Sequence, residues 1–300
     1  MLRKFDTVIY HANCPDGFTS AWAFWSLFRD RAEYLPYRYG QEPPDLTGKR
    51  VAIVDFSFPR ETLLRMVDQA QYLVVLDHHK SAERDLDGLN LGAKGEIIFD
   101  MARSGAQIAW DYLFASRQRP WFVDYVADRD LWRNELPQTK EISQTLFFDG
   151  YFDSFSKLDE LSNSLEPLKE MSAMAERGLV LLEYKTKECE MYAKAAKPTI
   201  FRGYRVNLAG CPRAYRSEVG NLISMQDCDF AAVYWYDYYS KEWLISFRAS
   251  KECPYDLSEI TSQLPNGGGH PKAAGFTIYE QNGENLHTYF AAYIDLTVSE

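Results

Sequence analysis

The sequence predicts an α/β protein: a parallel sheet in the N-terminal half, a helical connector, and a smaller α+β part at the C-terminal end. Three observations predict it. Short apolar runs alternate with helical patterns from residue 1 to about 150, the mark of βαβ units. From about Leu165 to Ala196 the text is rich in Glu, Lys, Met and Leu, with apolar residues near helical spacing. After Pro198 it turns β-rich. The expected division is 1–160, 161–197 and 198–300.

Each element has its own justification. Thr7-Val8-Ile9-Tyr10 is the first apolar strand, followed by a helix from Phe18 to Phe28. Val51-Ala52-Ile53-Val54 is the second, followed by a helix from Pro59 to Ala70. Tyr72-Leu73-Val74-Val75-Leu76 is the third, a continuous run that suits a strand buried on both faces. Ser104 is placed to cap a helix through Phe114, with Gly105 just inside it. Leu168, Met171, Met174, Leu179, Leu182 and Met191 mark the connector helix. Further on, 230–236 and 242–248 form a hairpin, and a helix runs from about Asp256 to Leu264. Gly267-Gly268-Gly269 is a loop, Gly275 to Tyr279 a strand, and His287 to Asp295 a closing helix.

Chemistry gathers at the strand ends. The first strand runs into His11, with Asp16-Gly17 a few residues on; the second runs into Asp55; the third runs into Asp77-His78-His79. A fourth acid follows in Tyr125-Val126-Ala127-Asp128. In open α/β sheets ligands collect outside the carboxyl ends of strands. Imidazoles and carboxylates there are metal-ligand types at a ligand-binding position. Three of the chain's five histidines sit in this set.

These residues resemble the DHH phosphoesterase superfamily, which includes RecJ-like, nano-RNase and exopolyphosphatase-related proteins. The resemblance lies in the first-strand His/Asp cluster, the lone Asp on strand two, the Asp-His-His triplet and the later Asp. A fifth match, Gly267-Gly268-Gly269-His270-Pro271-Lys272-Ala273-Ala274-Gly275, looks like the glycine-rich motif of the associated DHHA1 domain. The resemblance implies an N-terminal DHH domain that binds metal, and a C-terminal DHHA1-like domain that holds substrate across a cleft. It implies His11, Asp16, Asp55, His78 and Asp128 as ligands, with Asp55 as the bridge between two ions; Asp130 stays open as an alternative to Asp128. His79 would act on the scissile phosphate or leaving group, and Asp77 would orient the imidazoles. Arg248, Gly267, Gly268, Gly269 and His270 would grip the substrate, with Arg103 as a softer candidate. Mixed imidazole and carboxylate ligands suit Mn²⁺, with Mg²⁺ or Co²⁺ as alternatives.

One departure stands out. The family has two Asp in its first motif, whereas His11-Ala12-Asn13-Cys14-Pro15-Asp16 has one. Asn13 stands near the place of the missing acid and is a weaker ligand for a hard cation. Cys14 either completes the site or is a small buried filler, the more ordinary role for such a residue.

Composition bounds the rest. The chain has 300 residues, a formal net charge of −10 and five widely spaced cysteines without a CxxC pair. The charge argues against sequence-independent binding of a long duplex. The cysteines suit a reducing cytoplasm, no stretch has the length of a membrane helix, and Met1 to Phe5 lead into a strand without a secretory leader's apolar core. The expected function is metal-dependent phosphodiester hydrolysis of short oligonucleotides or dinucleotides. A phosphomonoesterase or phosphoanhydride hydrolase, acting on a nucleotide 3′-phosphate or polyphosphate, and a non-catalytic nucleotide sensor are the alternatives. Small phosphate-containing molecules are the expected partners, with a second copy of the chain as an open option.

Overall fold

The computed structural model describes residues 4–115 and 117–292. The chain forms two compact units, Met1–Leu182 and Glu183–Glu300.

In the first unit the strands are β1 (Thr7–His11), β2 (Glu33–Tyr37), β3 (Arg50–Val54), β4 (Tyr72–Asp77) and β5 (Gly95–Phe99). The helices are α1 (Pro15–Phe28), α2 (Arg60–Gln69), α3 (Lys80–Asp85), α4 (Gly105–Phe114), α5 (Trp121–Asp130), α6 (Thr139–Phe148) and α7 (Phe155–Ser162). The strands pair in the order β2-β1-β3-β4-β5, all parallel. Strand periodicity separates two cores. Val8, Ala52, Val54, Val74 and Leu76 face Trp22 and Phe24 of α1, Ile108 and Trp110 of α4, and Phe122 of α5. Ile9, Val51, Ile53, Leu73 and Val75 face Leu63, Met66 and Val67 of α2. With both faces covered, β4 is buried throughout, as its unbroken apolar text requires.

The strand order also positions the site. From β1 the chain crosses to β2 at one edge and then returns to β3 on the other side of β1. The β1/β3 boundary is therefore a topological switch point, where loops diverge and leave a crevice at the carboxyl ends.

The long helix α8 (Pro167–Lys194) contains the boundary between the units. In the second unit the strands are β6 (Lys197–Phe201), β7 (Tyr204–Gly210), β8 (Phe230–Asp237), β9 (Glu242–Arg248), β10 (Gly268–His270), β11 (Ala273–Tyr279) and β12 (Ala291–Ala292). Its helices are α9 (Arg216–Ser224), α10 (Leu257–Ser262) and α11 (Leu286–Tyr289). The sheet order is β10-β11-β9-β8-β7-β6-β12, with β7/β8 as its parallel pair. An aromatic core of Phe201, Phe230, Phe247 and Phe276 fills one face. Cys189 and Ala193 of α8 and Val219 and Ile223 of α9 cover Ala209, Ala231 and Val233 on the other.

The sequence expectation did not name β2, β5, β6, β7, α3, α6 or α7, and three of the elements it did name differ in type or extent. Helix α1 starts at Pro15, because proline is pre-organised for a first helical position and Asp16 suits the first turn. The glycine run is an edge strand: Gly268 to His270 pair antiparallel with Ala273 to Gly275. The closing helix is four residues long, since Ala291 and Ala292 pair with β6 instead; positions 293–295 of the expected helix lie outside the described residues. No helix among the described residues is long and apolar enough to cross a membrane.

Candidate metal centre

The carboxyl ends of β1, β3 and β4 bring His11, Asp55, Asp77, His78 and His79 together, and helix termini add the rest. Asp16 lies in the first turn of α1 and is fully buried. Its carboxylate accepts the Gly105 N–H at 2.6 Å and the Ala106 N–H at 3.1 Å. Those are unpaired donors at the start of α4, whose dipole also favours an anion. Ser104 and Gln107 form the capping box that sets this helix start.

Asp55 follows β3 in the left-handed region, with φ of 52°. That turn is uncommon for a non-glycine residue, and it is tied down by the Asp55 N–H donating to the Leu76 carbonyl at 2.9 Å. The carboxylate faces two ways. Oδ1 is 3.0 Å from His78 Nε2, and Oδ2 is 3.5 Å from His11 Nδ1. Both Oδ2 and His11 Nδ1 are buried and have no hydrogen-bond partner.

His78 Nε2 also lies 3.7 Å from Asp16 and 3.5 Å from Asp130. Asp77 is saturated. One of its oxygens accepts the His78 and His79 N–H groups at 2.7 and 3.2 Å and His79 Nδ1 at 2.6 Å; the other accepts the Ser57 hydroxyl at 2.6 Å. Asp77 therefore holds the two histidines in place.

Among the described residues the candidate donors form three groups: Asp55, Asp77, His78 and His79 make the first, which shares Asp55 with the second and His78 with the third. His11, Cys14 and Asp55 present ligand atoms within 4.8 Å of one another, and so do Asp16, His78 and Asp130. Asp128 is not among them. Its carboxylate accepts the Glu135 and Leu136 N–H groups at 3.0 and 3.2 Å and the Thr139 hydroxyl, and so closes the turn after α5. Asp130, two residues on, points to His78 in the place expected of Asp128. Asn13 is likewise not in the cluster: it is exposed, with φ of 58°, and Cys14 faces His11 and Asp55 in its stead.

Electrostatics describe a cluster short of positive charge. Burial and the neighbouring Asp55 push the carboxyls of Asp16 and Asp130 above the usual range. Burial also opposes ionisation of Asp55, yet His11 and His78 outweigh it and hold that carboxyl well below the usual range. Burial works against a charge on His78, but the surrounding carboxylates push it up to about 9. The Asp77 hydrogen bond raises His79. Burial, then Asp55 and Asp16, push the Cys14 thiol up. A divalent cation relieves such crowding of acids. The buried, unpartnered Asp55 Oδ2 and His11 Nδ1 fit that role, as does a donor set of carboxylates and imidazoles.

Some neighbours of the site carry no sequence motif. Gly105 is one: a Cβ there would stand 2.5 Å from Asp55 Cβ and 3.0 Å from Asp16 Oδ2. Ser57 is another, and Tyr39 a third, its ring centroid 5.6 Å from that of His11 and 6.4 Å from that of His79. The capping signal at Ser104 marked the helix start that holds Gly105, but nothing in the sequence placed Gly105, Ser57 or Tyr39 beside the site.

The remaining candidates are not among these donor groups. Arg103 is committed to Asp100 and Asp111, each at 2.7 Å. In the second unit, Arg248 donates to the hydroxyls of Ser246 and Ser217 at 2.8 and 3.1 Å and to the Phe247 carbonyl at 2.7 Å. It has no carboxylate ion pair among the described residues, and burial and the nearby Arg216 lower its pKa. Gly269, with φ of 140°, permits the tight pairing of Gly268–His270 against β11, and His270 is exposed on that edge.

No family model matches the chain. An uncharacterized protein of Acanthamoeba polyphaga mimivirus, R106, is 29% identical over 295 residues, covering 90% of this chain; the chain spans 66% of that relative's length. Among solved structures, the DHH domain of a member of a ribosomal-protein family aligns with a TM-score of 0.56 at 15% identity, covering 93% of this chain and 84% of that one. A pGpG-specific phosphodiesterase of Vibrio, PggH, aligns with a TM-score of 0.50 at 13% identity, covering 93% and 95%. With its sheet order, its switch-point cluster and its Asp-His-His triplet, this chain has the DHH fold.

Proposed function

We propose that this protein is a divalent-metal-dependent phosphohydrolase, and that it hydrolyses phosphodiesters in short oligonucleotides or dinucleotides. The observation that carries the reading is Asp55, a single buried carboxylate with one oxygen toward His11 and the other toward His78. That arrangement suits two ions sharing one bridging residue. His11, Asp16, Asp55, His78 and Asp130 would hold them, and Mn²⁺ matches their donor chemistry. Bound ions of this kind supply a nucleophile at neutral pH and offset charge on the phosphoryl oxygens.

The chain's own residues do the rest. Asp77 takes the Nδ1 hydrogen bond of His79, which fixes the ring and leaves Nε2 to exchange a proton with the leaving oxygen. With both its oxygens engaged, Asp77 serves as a positioning group. In the second unit, Arg248, Gly267–Gly269 and His270 are proposed to bind substrate phosphate. Arg248 supports this, because a half-buried guanidinium without a carboxylate partner favours an anion.

The net charge of −10 supports a small substrate, since it provides no basic track for a long polyanion. The Vibrio protein of the same fold acts on pGpG, which makes that dinucleotide the first substrate to try. The five unpaired cysteines suit a reducing compartment.

The test is hydrolysis of pGpG and of a length series, with Mn²⁺ and with chelator. Cleavage of the dinucleotide, lost on chelation, is expected; His79→Ala should keep its metal and lose turnover. Full activity under chelation would refute the metal reading. A rate per molecule that climbs steeply with length would refute the preference for short substrates.

A further inference from the structure

We propose that Cys14 is the third protein ligand of the ion position formed with His11 and Asp55, so that one position carries a thiolate and the other is built from carboxylates and an imidazole. The inference rests on the two-ion reading above and deepens it.

The first support is geometric. The Cys14 sulfur, a His11 ring nitrogen and an Asp55 oxygen lie within 4.8 Å of one another. Metal–sulfur and metal–nitrogen bonds of about 2.3 and 2.0 Å let two donors on one ion stand roughly 4 Å apart, so little rotation brings the three together. The second support is independent of the cysteine. Asp55 is 1% exposed, and its Oδ2, on this same side, makes no hydrogen bond and has only the long 3.5 Å contact to His11 Nδ1. An apolar filler would leave that oxygen unsatisfied, which is costly for a buried charge.

The third support is that the nearby acids and Asn13 are engaged or turned elsewhere, which leaves His79 as the other candidate donor beside Asp55. Asp77 is fully engaged by His78, His79 and Ser57. Asp16 and Asp130 belong to the His78 set. Asn13 is turned to solvent by its left-handed backbone. Cys14 is also held rigidly, since it is the extended residue before Pro15 at the start of α1.

The consequence is selectivity. A Cys/His/Asp set favours Zn²⁺ or Co²⁺, whereas Asp16, His78 and Asp130 favour Mn²⁺ or Mg²⁺. Binding forms a metal–sulfur bond, and the thiol proton leaves to solvent.

The experiment titrates Co²⁺ into metal-free protein and follows the near-ultraviolet thiolate-to-cobalt charge-transfer band, with bound metal counted in parallel. Wild type should show the band and two equivalents. Cys14→Ala should lose the band and bind one equivalent at least about tenfold more weakly. Cys14→Ser, which keeps the shape, should also lose the band. A readout that needs no variant is alkylation: Zn²⁺ should protect Cys14 from iodoacetamide, as read by peptide mass spectrometry. Two equivalents bound without a band, a band that survives Cys14→Ala, or unprotected Cys14 in zinc-loaded protein would each overturn the inference while leaving the two-ion reading intact. Absence of any bound metal would overturn both.

Discussion

Gly105→Ala is the sharpest probe of how the centre is built, because it adds one methyl group to a residue that carries no ligand atom. The new Cβ would stand 2.5 Å from Asp55 Cβ and 3.0 Å from both Asp55 Cα and Asp16 Oδ2. Carbon atoms pack at about 3.5–4.0 Å, so α4 and the Asp55 turn must separate by roughly 1 Å. Neither side yields easily. The Asp55 turn is pinned to Leu76, and α4 is pinned by its capping box and by Asp16. Overpacking of this kind costs about 1–3 kcal/mol, while the better helix propensity of alanine returns at most about 0.5–1 kcal/mol. The net expectation is a loss of about 1–2 kcal/mol in denaturant unfolding. The functional effect should be larger, since a displacement of about 1 Å at reacting groups can lower turnover by roughly a hundredfold. Calorimetric metal titration and hydrolysis assays on folded variant would check it. Wild-type metal affinity and turnover in Gly105→Ala would refute the claim that the start of α4 holds Asp16 and Asp55 in register.

Two further outcomes follow from the same geometry. Asp130→Asn should weaken metal binding by at least about tenfold with little change in unfolding free energy, whereas Asp128→Asn should do the reverse, losing about 1–3 kcal/mol of stability through its broken turn contacts; paired calorimetry and denaturant melts separate them, and the opposite pattern would restore Asp128 as the ligand. Arg248→Ala should raise KM for a dinucleotide roughly ten- to a hundredfold, the worth of a charged hydrogen bond, and leave metal affinity unchanged; an unaltered KM would remove Arg248 from the proposed phosphate grip.

The parallel sheet was legible because β3 and β4 are apolar along nearly their whole length, and the capping Ser104 marked α4 within a residue. His11, Asp16, Asp55, His78 and His79 were legible because each falls at or just after a strand end, where βαβ topology concentrates ligands. Other features were not, for identifiable reasons. Gly267-Gly268-Gly269 reads as a loop by composition, yet pairing with β11 draws its last two residues into an edge strand, and strand pairing is a long-range fact. The closing helix was drawn too long because Ala291 and Ala292 suit a helix locally and are taken by the distant strand β6. Whether Cys14 or Asn13 faces His11 was not legible, because it rests on the left-handed turn at Asn13.

The different surroundings of Asp128 and Asp130 show what a fold adds to the choice between candidate ligands. Acids are numerous around this site, and most already have their partners. Asp77 receives its donors from His78, His79 and Ser57, and Asp128 receives its own from Glu135, Leu136 and Thr139. Such carboxylates are held by the protein itself and have little left to offer an ion. Asp16 is intermediate, with two backbone donors from α4 and His78 nearby. Asp55 keeps one buried oxygen unpartnered, and Asp130 has its carboxyl raised by burial and by Asp55. The acids left under-compensated, Asp55 and Asp130, are grouped with His11, Cys14, Asp16 and the histidines of the triplet. A sequence displays every carboxylate alike, because hydrogen-bond satisfaction is a property of the fold. The distinction between an acid that builds the site and an acid that binds in it therefore emerges only when each oxygen's donors are counted.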